Sequence, residues 1–409
     1  MSGWHTPVPV DHPAATWLSA AAVRRHCQQI FSHVVEGGSP HFVWHANRLQ
    51  VAAAYVADVI RARYPDLIVP YHSRWRHFEA GGVDRWGAIS GVQRLAGAER
   101  ARVRIDLVIP SVLLDAGAGA AWRYQDGATG QILARSEGLG VASLALFAAG
   151  RLSNDASQPL RSDAAALSRI RAEDIADAFQ VSETNPLVGL QGRAALLTRL
   201  GEVAAATPAV FGAPARLGNL YDYLIAHARD NKIAADFILG TVLRALGPVW
   251  PSRLSLDGVA LGDCWQHPAA EGGQVPFHKL SQWLTYSLLE PLEEAGLTVT
   301  GLDTLTGLPE YRNGGMLLDL GVIAARDPTF HTRPLRIDDE AVIEWRALTV
   351  AGLDVLAPMV RDALGLTATQ FPLARVLEGG TWAAGRKIAA AMRPGSAPPV
   401  NIVSDGTVF

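Results

Sequence analysis

Three stretches of the chain concentrate side chains able to do chemistry. The first, Tyr71-His72-Ser73-Arg74-Trp75-Arg76-His77-Phe78-Glu79, packs four cationic or titratable bases and three aromatics into nine residues. Arg74 and Arg76 beside aromatic faces suit a phosphate or other anion attached to a flat group. The same residues would equally close into a buried knot of ion pairs with Glu79 and Asp84. The second stretch runs from Pro276 to Tyr286, where Lys279, Trp283 and Tyr286 recur at i, i+4 and i+7. A helical face of lysine and aromatics either lines a cleft or packs beneath a neighbour. The third is Leu302-Asp303-Thr304-Leu305-Thr306-Gly307-Leu308-Pro309-Glu310-Tyr311-Arg312-Asn313-Gly314-Gly315. Pro309 and the glycine pair bracket Glu310, which sets its carboxylate on a tightly specified backbone. A carboxylate opposite a lysine is favoured in its charged form, as a partner for a cationic transition state requires; an ordinary ion pair has the same signature.

The elements that would position these groups read as helices. Apolar residues recur at helical spacing over 14–35, 47–63, 94–115, 163–179, 190–206, 219–230, 233–246, 277–290 and 348–365. Pro276 is placed for the first helical position of the Lys279 segment, with Phe277, Leu280, Leu284 and Leu288 as its core stripe. Strand-like alternation is confined to Ile343, Trp345 and Ala347 against Glu344 and Arg346, and to Val400-Asn401-Ile402-Val403. A mainly α protein with a small β component follows. It reads as one large domain over 1–409, with sub-domain seams at 151–163 and 247–276. The apolar Ile402-Val403 and Val408-Phe409 point to a docked C-terminus.

The composition excludes several classes of function. The 409 residues are 49% hydrophobic and 18% charged, with 36 basic against 39 acidic side chains and a net charge of −3. Such a balance leaves no electrostatic footprint for nucleic acid or an anionic membrane. No apolar run reaches the roughly 18 residues that span a bilayer, and the first residues lack a basic and then apolar leader, so a cytoplasmic protein is expected. Only Lys232, Lys279 and Lys387 are lysines, against 33 arginines. A lysine retained against that bias marks a position where arginine does not substitute.

Familiar cofactor motifs are approached and missed. In Gly380-Thr381-Trp382-Ala383-Ala384-Gly385-Arg386-Lys387 the lysine stands one place late for a phosphate loop, and Ile388 replaces the hydroxyl. Asp115-Ala116-Gly117-Ala118-Gly119 has two glycines of a dinucleotide fingerprint, but Trp122 fills the third position. His72 and His77 are five apart and diverge on a helix; Asp263, Cys264 and His267 read as a packed turn. Cys27 and Cys264 cannot build a cysteine-rich zinc site. No metal and no organic cofactor is expected.

The strings His72 to Phe78, Asp263-Cys264-Trp265, Phe277 to Trp283, Gly307 to Gly315, Gly379 to Arg386 and Ser404-Asp405-Gly406-Thr407-Val408-Phe409 resemble the uracil catabolism protein four family, from about His41 to the end. That resemblance implies a place in pyrimidine degradation and association with other enzymes of uracil catabolism. A fainter one is carried by His278-Lys279-x-x-Gln282, by Asp303-x-Leu305-Thr306-x-x-x-Glu310-Tyr311-Arg312, and by Ile343-Glu344-Trp345-Arg346-Ala347-x-Thr349-Val350. This order is similar to the queuosine salvage N-glycosylases, and implies a helical, DNA-glycosylase-like core and cleavage of a base–ribose bond by an acid beside a lysine. Lys279 falls on the lysine and Glu310 on the aspartate, one methylene longer. The implied reaction is hydrolysis of a ribosylurea, carried as its 5-phosphate, to urea and the sugar. Glu310 would then face the oxocarbenium-like state and Lys279 orient it. Arg74, Arg76 or Arg312 would bind phosphate; Trp75, Trp283 and Tyr311 would wall the cleft; and His72, His278 or Asp303 would move the proton. The competing readings are a metal-dependent amidohydrolase or deaminase built on His72, His77, Asp263, Cys264 and His267, and a non-catalytic partner of another enzyme of the route.

Overall fold

Helices make up 55% of the structure and strands 9%, so the chain is mainly α with a small β component. The computed structural model describes residues 8–250 and 252–403. Among these residues the strands pair two by two in short ribbons, such as Phe42–Trp44 with Ile323–Ala325, and Cys264–Gln266 with Gln274–Pro276. Asn401–Val403 runs parallel to Pro334–Arg336, and Val400 before it is buried. The closing string 404–409, including the apolar Val408-Phe409, lies outside the described residues.

Two helix packings frame the site. The long helix Glu340–Leu364 carries Ala20–Val35 on one side and Leu49–Arg63 on another. Ser19 starts the first of these by accepting a hydrogen bond from the Ala22 amide, and Gly365, at φ +71°, ends the long helix in a left-handed turn. The expected strand at 343–347 is therefore helix. The alternation misleads because this segment is buried all round, with Glu344 and Arg346 as internal as Ile343 and Trp345. Their polar groups have internal partners instead of solvent: Ser39 donates to Glu344, and Arg346 pairs with Asp263.

The second packing crosses Tyr311–Asp319 with Trp382–Met392. A glycine makes it possible: a Cβ at Gly385 would run into the backbone carbonyl of Arg312. Gly314 serves a second contact of the same helix, with Glu340–Leu364, where a Cβ would come within 2.8 Å of Trp345 Nε1 and 2.6 Å of Thr349 Oγ1. The glycine pair at 314–315 thus serves close helix contact within a helix and not a loop.

Two further boundaries differ from the sequence pattern. Pro276 ends a strand; a left-handed residue, His278 at φ +51°, follows, and Lys279–Glu294 begins after it. The span 163–179 is two short helices, Ala164–Leu167 and Ala172–Ala178.

Replacing Gly385 by Ala should lower stability by about 2 kcal/mol or more, because a backbone atom cannot yield to the added methyl. Gly192→Ala, in open space on the helix Leu190–Ala205, should raise it by about 0.5–1 kcal/mol. Denaturant midpoints of the two variants test the contrast.

Candidate active site

Glu310 is the N-cap of Tyr311–Asp319. Its Oε2 accepts a hydrogen bond from the Arg312 amide at 2.7 Å and its Oε1 one from the Asn313 amide at 2.6 Å. A carboxylate at a helix N-terminus meets unsatisfied N–H groups and the positive end of the dipole, and Pro309 before it fixes the approach of the chain. Asn313 is held in turn: its Nδ2 donates to Leu308 O at 3.1 Å, and its Oδ1 accepts from Thr381 Oγ1 at 2.8 Å. The side chain at 310 is thereby fixed from both ends, with its tip on a cleft of about 480 Å³. Burial pushes the Glu310 carboxyl above the usual glutamate range, against the two amide bonds and the charges of His72 and Lys279, which favour the ionised form.

Lys279 reaches the same cleft from the first turn of Lys279–Glu294. The helix start is pinned by Asp263, whose Oδ2 accepts from the Lys279 amide at 3.0 Å. Asp263 is itself clasped by the buried Arg346 through two bonds of 2.9 and 2.8 Å, and by Trp265 Nε1 at 2.6 Å. Burial alone would raise the Asp263 carboxyl, but the guanidinium and these hydrogen bonds hold it at about 2. Burial and then the Arg346 charge push the Lys279 ammonium below its usual value, while Glu310, Asp263 and Asp115 pull it back.

One wall of the cleft is aromatic. The rings of His72 and His77 each lie within 6.4 Å of both Trp283 and Trp382. Burial and the neighbouring Arg74 push His77 down to about 4, so it is neutral at pH 7. Arginines line the cleft as well: Arg135, Arg312 and Arg386, beside Tyr311 and Glu137. Arg312 and Arg135 each donate to carbonyls of the Gly395-Ser396 turn, and Arg386 pairs with Glu137 while lying 4.9 Å from the Trp382 ring.

Of the residues singled out in the sequence, the structure brings Glu310, Lys279, His72, Trp283, Tyr311 and Arg312 to this one cleft. Five are elsewhere. Arg74 is fully buried, donating to Ser111 Oγ at 2.7 Å and pairing with Asp115 at 2.6 Å. Arg76 pairs with Glu290 and Glu79. Their stretch thus forms a knot of ion pairs, drawn through Asp115 and Glu290 as well as Glu79, and neither arginine lines this cleft. Trp75 stacks beneath Arg104 and donates to Ser287 O. The His278 ring bonds Trp17 O, and Asp303 holds Arg361 and the Leu373 amide. Tyr286, on the same helical face as Lys279 by spacing, is buried with its hydroxyl donating to Thr306 O.

The sequence reading missed Asp115, Arg135, Glu137, Trp382 and Arg386 as cleft residues. Trp382 and Arg386 stand four apart within one of the strings that carry the family resemblance, which was signal enough. Glu137, in the first turn of Arg135–Ala148, looks like any acid placed there for the helix dipole. Of the donors of the metal-dependent reading only His72 and His77 share the cleft. Asp263 is committed to Arg346, Cys264 is buried with burial pushing its thiol up to about 12, and His267 faces Glu344 at 3.4 Å. Among the described residues no group of three or more His, Cys, Asp and Glu side chains could hold a metal ion, and no helix is long and apolar enough to cross a membrane.

Fold and site together define a mainly helical protein with a half-buried carboxylate set on a helix end inside a cleft lined by aromatics and arginines. A family model described as "Protein of unknown function (DUF1688)" matches residues 16–409. The chain is 37% identical over 443 residues to Uracil catabolism protein 4 of Lachancea kluyveri, covering 98% of this chain and 100% of that protein. It is 37% identical over 407 residues to Protein urg3 of Schizosaccharomyces pombe, covering 97% and 98%. The chain belongs to this family.

Asp263→Asn should remove the charge that balances buried Arg346 and free the start of the Lys279 helix, at a cost of about 3–5 kcal/mol near neutral pH. The folded-state value near 2 lies below the unfolded one of about 3.9, so this advantage is whole above the latter and fades as pH falls through about 2. Unfolding curves of the two proteins at stepped pH measure it.

Proposed function

We propose that the protein acts in uracil catabolism as an N-ribosyl hydrolase, cleaving a ribosylurea, carried as its 5-phosphate, to urea and the sugar phosphate. The name of the Lachancea relative, Uracil catabolism protein 4, supports the pathway. The observation that carries the chemistry is Glu310, whose carboxylate is fixed by two backbone amides and aimed into the cleft beside Lys279.

Breaking a ribose C1–N bond leaves positive charge spread over C1 and the ring oxygen. A carboxylate already in position stabilises that charge without reorganising when it forms. At about 4 Å and an effective dielectric of about 20 the attraction is about 4 kcal/mol, or roughly a thousandfold in rate. Glu310 must be ionised to do this, which gives the amide bonds, His72 and Lys279 their role against burial. The arginines of the cleft take the phosphate: Arg312, with Arg135 and Arg386, presents guanidinium donors to it. Trp283 and Tyr311 wall the space between.

Glu310→Gln should fold, since an amide oxygen still caps the helix, but release urea from ribosylurea 5-phosphate about a thousandfold more slowly. Full turnover in that variant overturns the assignment. For the wild type, kcat/KM should fall as pH drops through the Glu310 value, at a pH above that of an ordinary glutamate because burial raises it. In Lys279→Met the same limb should move to still higher pH, since a charge favouring the ionised form is gone. A pH–rate profile of both proteins reads the shift, and a limb that moves the other way contradicts the pairing.

A further inference from the structure

The reaction proposed above leaves the departing urea nitrogen without a proton, and the cleft contains a group built to supply it. His72 is buried but for a tip on the cleft wall. Its Nδ1 lies 2.8 Å from Glu378 Oε2, and its backbone amide donates to Ala374 O at 2.9 Å. Glu378 is buried, and although burial alone would raise its carboxyl, the bond and charge of His72 and the charge of Arg63 hold it below the usual range. Arg63 also donates to the Glu378 carbonyl at 3.0 Å. An ionised carboxylate can only accept, so the proton at this contact sits on Nδ1. That fixes the ring and leaves Nε2, which has no hydrogen-bond partner among the described residues, as the nitrogen available to the cleft. A carboxylate that orients a histidine and stabilises its cationic form is the arrangement by which imidazole serves as acid and base.

The backbone that delivers Glu378 strengthens the case. Val376–Thr381 is a π-helical turn leading into the helix Trp382–Met392. Such turns carry one residue more than α-helix would, and are frequent at functional sites. This one sits tightly on its neighbours: a Cβ at Gly379 or Gly380 would come within 2.9 Å of Val69 or 2.7 Å of Val56. From it Glu378 reaches His72, while Thr381 reaches Asn313, whose amide holds Glu310. The single turn therefore sets both His72 and Glu310, and among the side-chain charges that favour ionised Glu310 that of His72 weighs more than that of Lys279.

We infer that His72, oriented by Glu378, is the general acid and base of the reaction. In the first step His72 Nε2–H passes its proton to the urea nitrogen as the C1–N bond breaks, the bonding pair leaving with that nitrogen. Neutral urea departs, and the cation at C1 faces Glu310. In the second step the neutral imidazole takes a proton from the water whose oxygen bonds to C1, which restores the imidazolium. Overall one water is consumed, its hydroxyl ending on C1 and one proton on urea. Glu378 is a positioning residue, touching His72 and not the substrate.

This inference rests on the N-ribosyl hydrolase reading, and the test separates the two. Wild type, His72→Asn, Glu378→Gln and Glu310→Gln are each assayed on ribosylurea 5-phosphate and on the 4-nitrophenyl riboside 5-phosphate, whose leaving group needs no proton. His72→Asn and Glu378→Gln should lose about 100-fold or more on the first substrate and less than about 5-fold on the second, with Glu378→Asp partly restoring the first. Glu310→Gln should lose both. Equal losses on the two substrates for His72→Asn, or no loss on ribosylurea 5-phosphate, overturns the dyad. A wild type inert on both substrates overturns the hydrolase reading and the dyad with it.

Discussion

The site depends on one contact, the Glu310 carboxylate against the first amides of its own helix. Placing a charged oxygen pair inside protein is costly, and here two charge-assisted hydrogen bonds of 2.7 and 2.6 Å offset the loss of water. Bonds of that kind are worth about 1.5–3 kcal/mol each, and the helix dipole adds to them. The balance still leaves the carboxyl above its ordinary value, which makes the group sensitive to each neighbouring charge. A side chain in that condition can respond to a cation arriving in the cleft, and its geometry does not have to change when one does.

Everything around this contact holds it in place. The helix that begins at Glu310 crosses Trp382–Met392 so closely that Gly385 admits no side chain. The π-helical turn before that second helix bonds Asn313 from one residue and His72 from another. On the other side, Asp263 and Arg346 fix where the Lys279 helix starts. Asp263 thus turns out to be a structural peg and not a metal donor. Its four hydrogen bonds to Arg346, Trp265 and the Lys279 amide leave it no free role in chemistry.

Helical character was legible in the sequence, because one-sided apolar stripes such as that of 20–35 give a clean 3.6-residue period. The segment 340–347 was not, because a helix buried all round has no polar face to set the period, and Glu344 and Arg346 then imitate a strand. Residue type likewise could not separate two kinds of arginine. Arg74 and Arg312 each stand next to an aromatic residue along the chain, and only the fold shows Asp115 closing on Arg74 while Arg312 lines the cleft. Glu310 and Lys279 were legible for a different reason: proline and glycine bracket the one, and the other is a lysine in a chain that otherwise uses arginine. The partner of His72 was hidden, since Glu378 lies 306 residues away and is delivered by a turn that no simple period predicts.

The most direct measurement is a structure of the Glu310→Gln variant with ribosylurea 5-phosphate bound. The account predicts the anomeric carbon within about 3.5 Å of the side chain at 310, the urea nitrogen beside His72 Nε2 and the phosphate among Arg135, Arg312 and Arg386. A substrate bound with its anomeric carbon more than about 6 Å from position 310, or with its phosphate away from all three arginines, would contradict it.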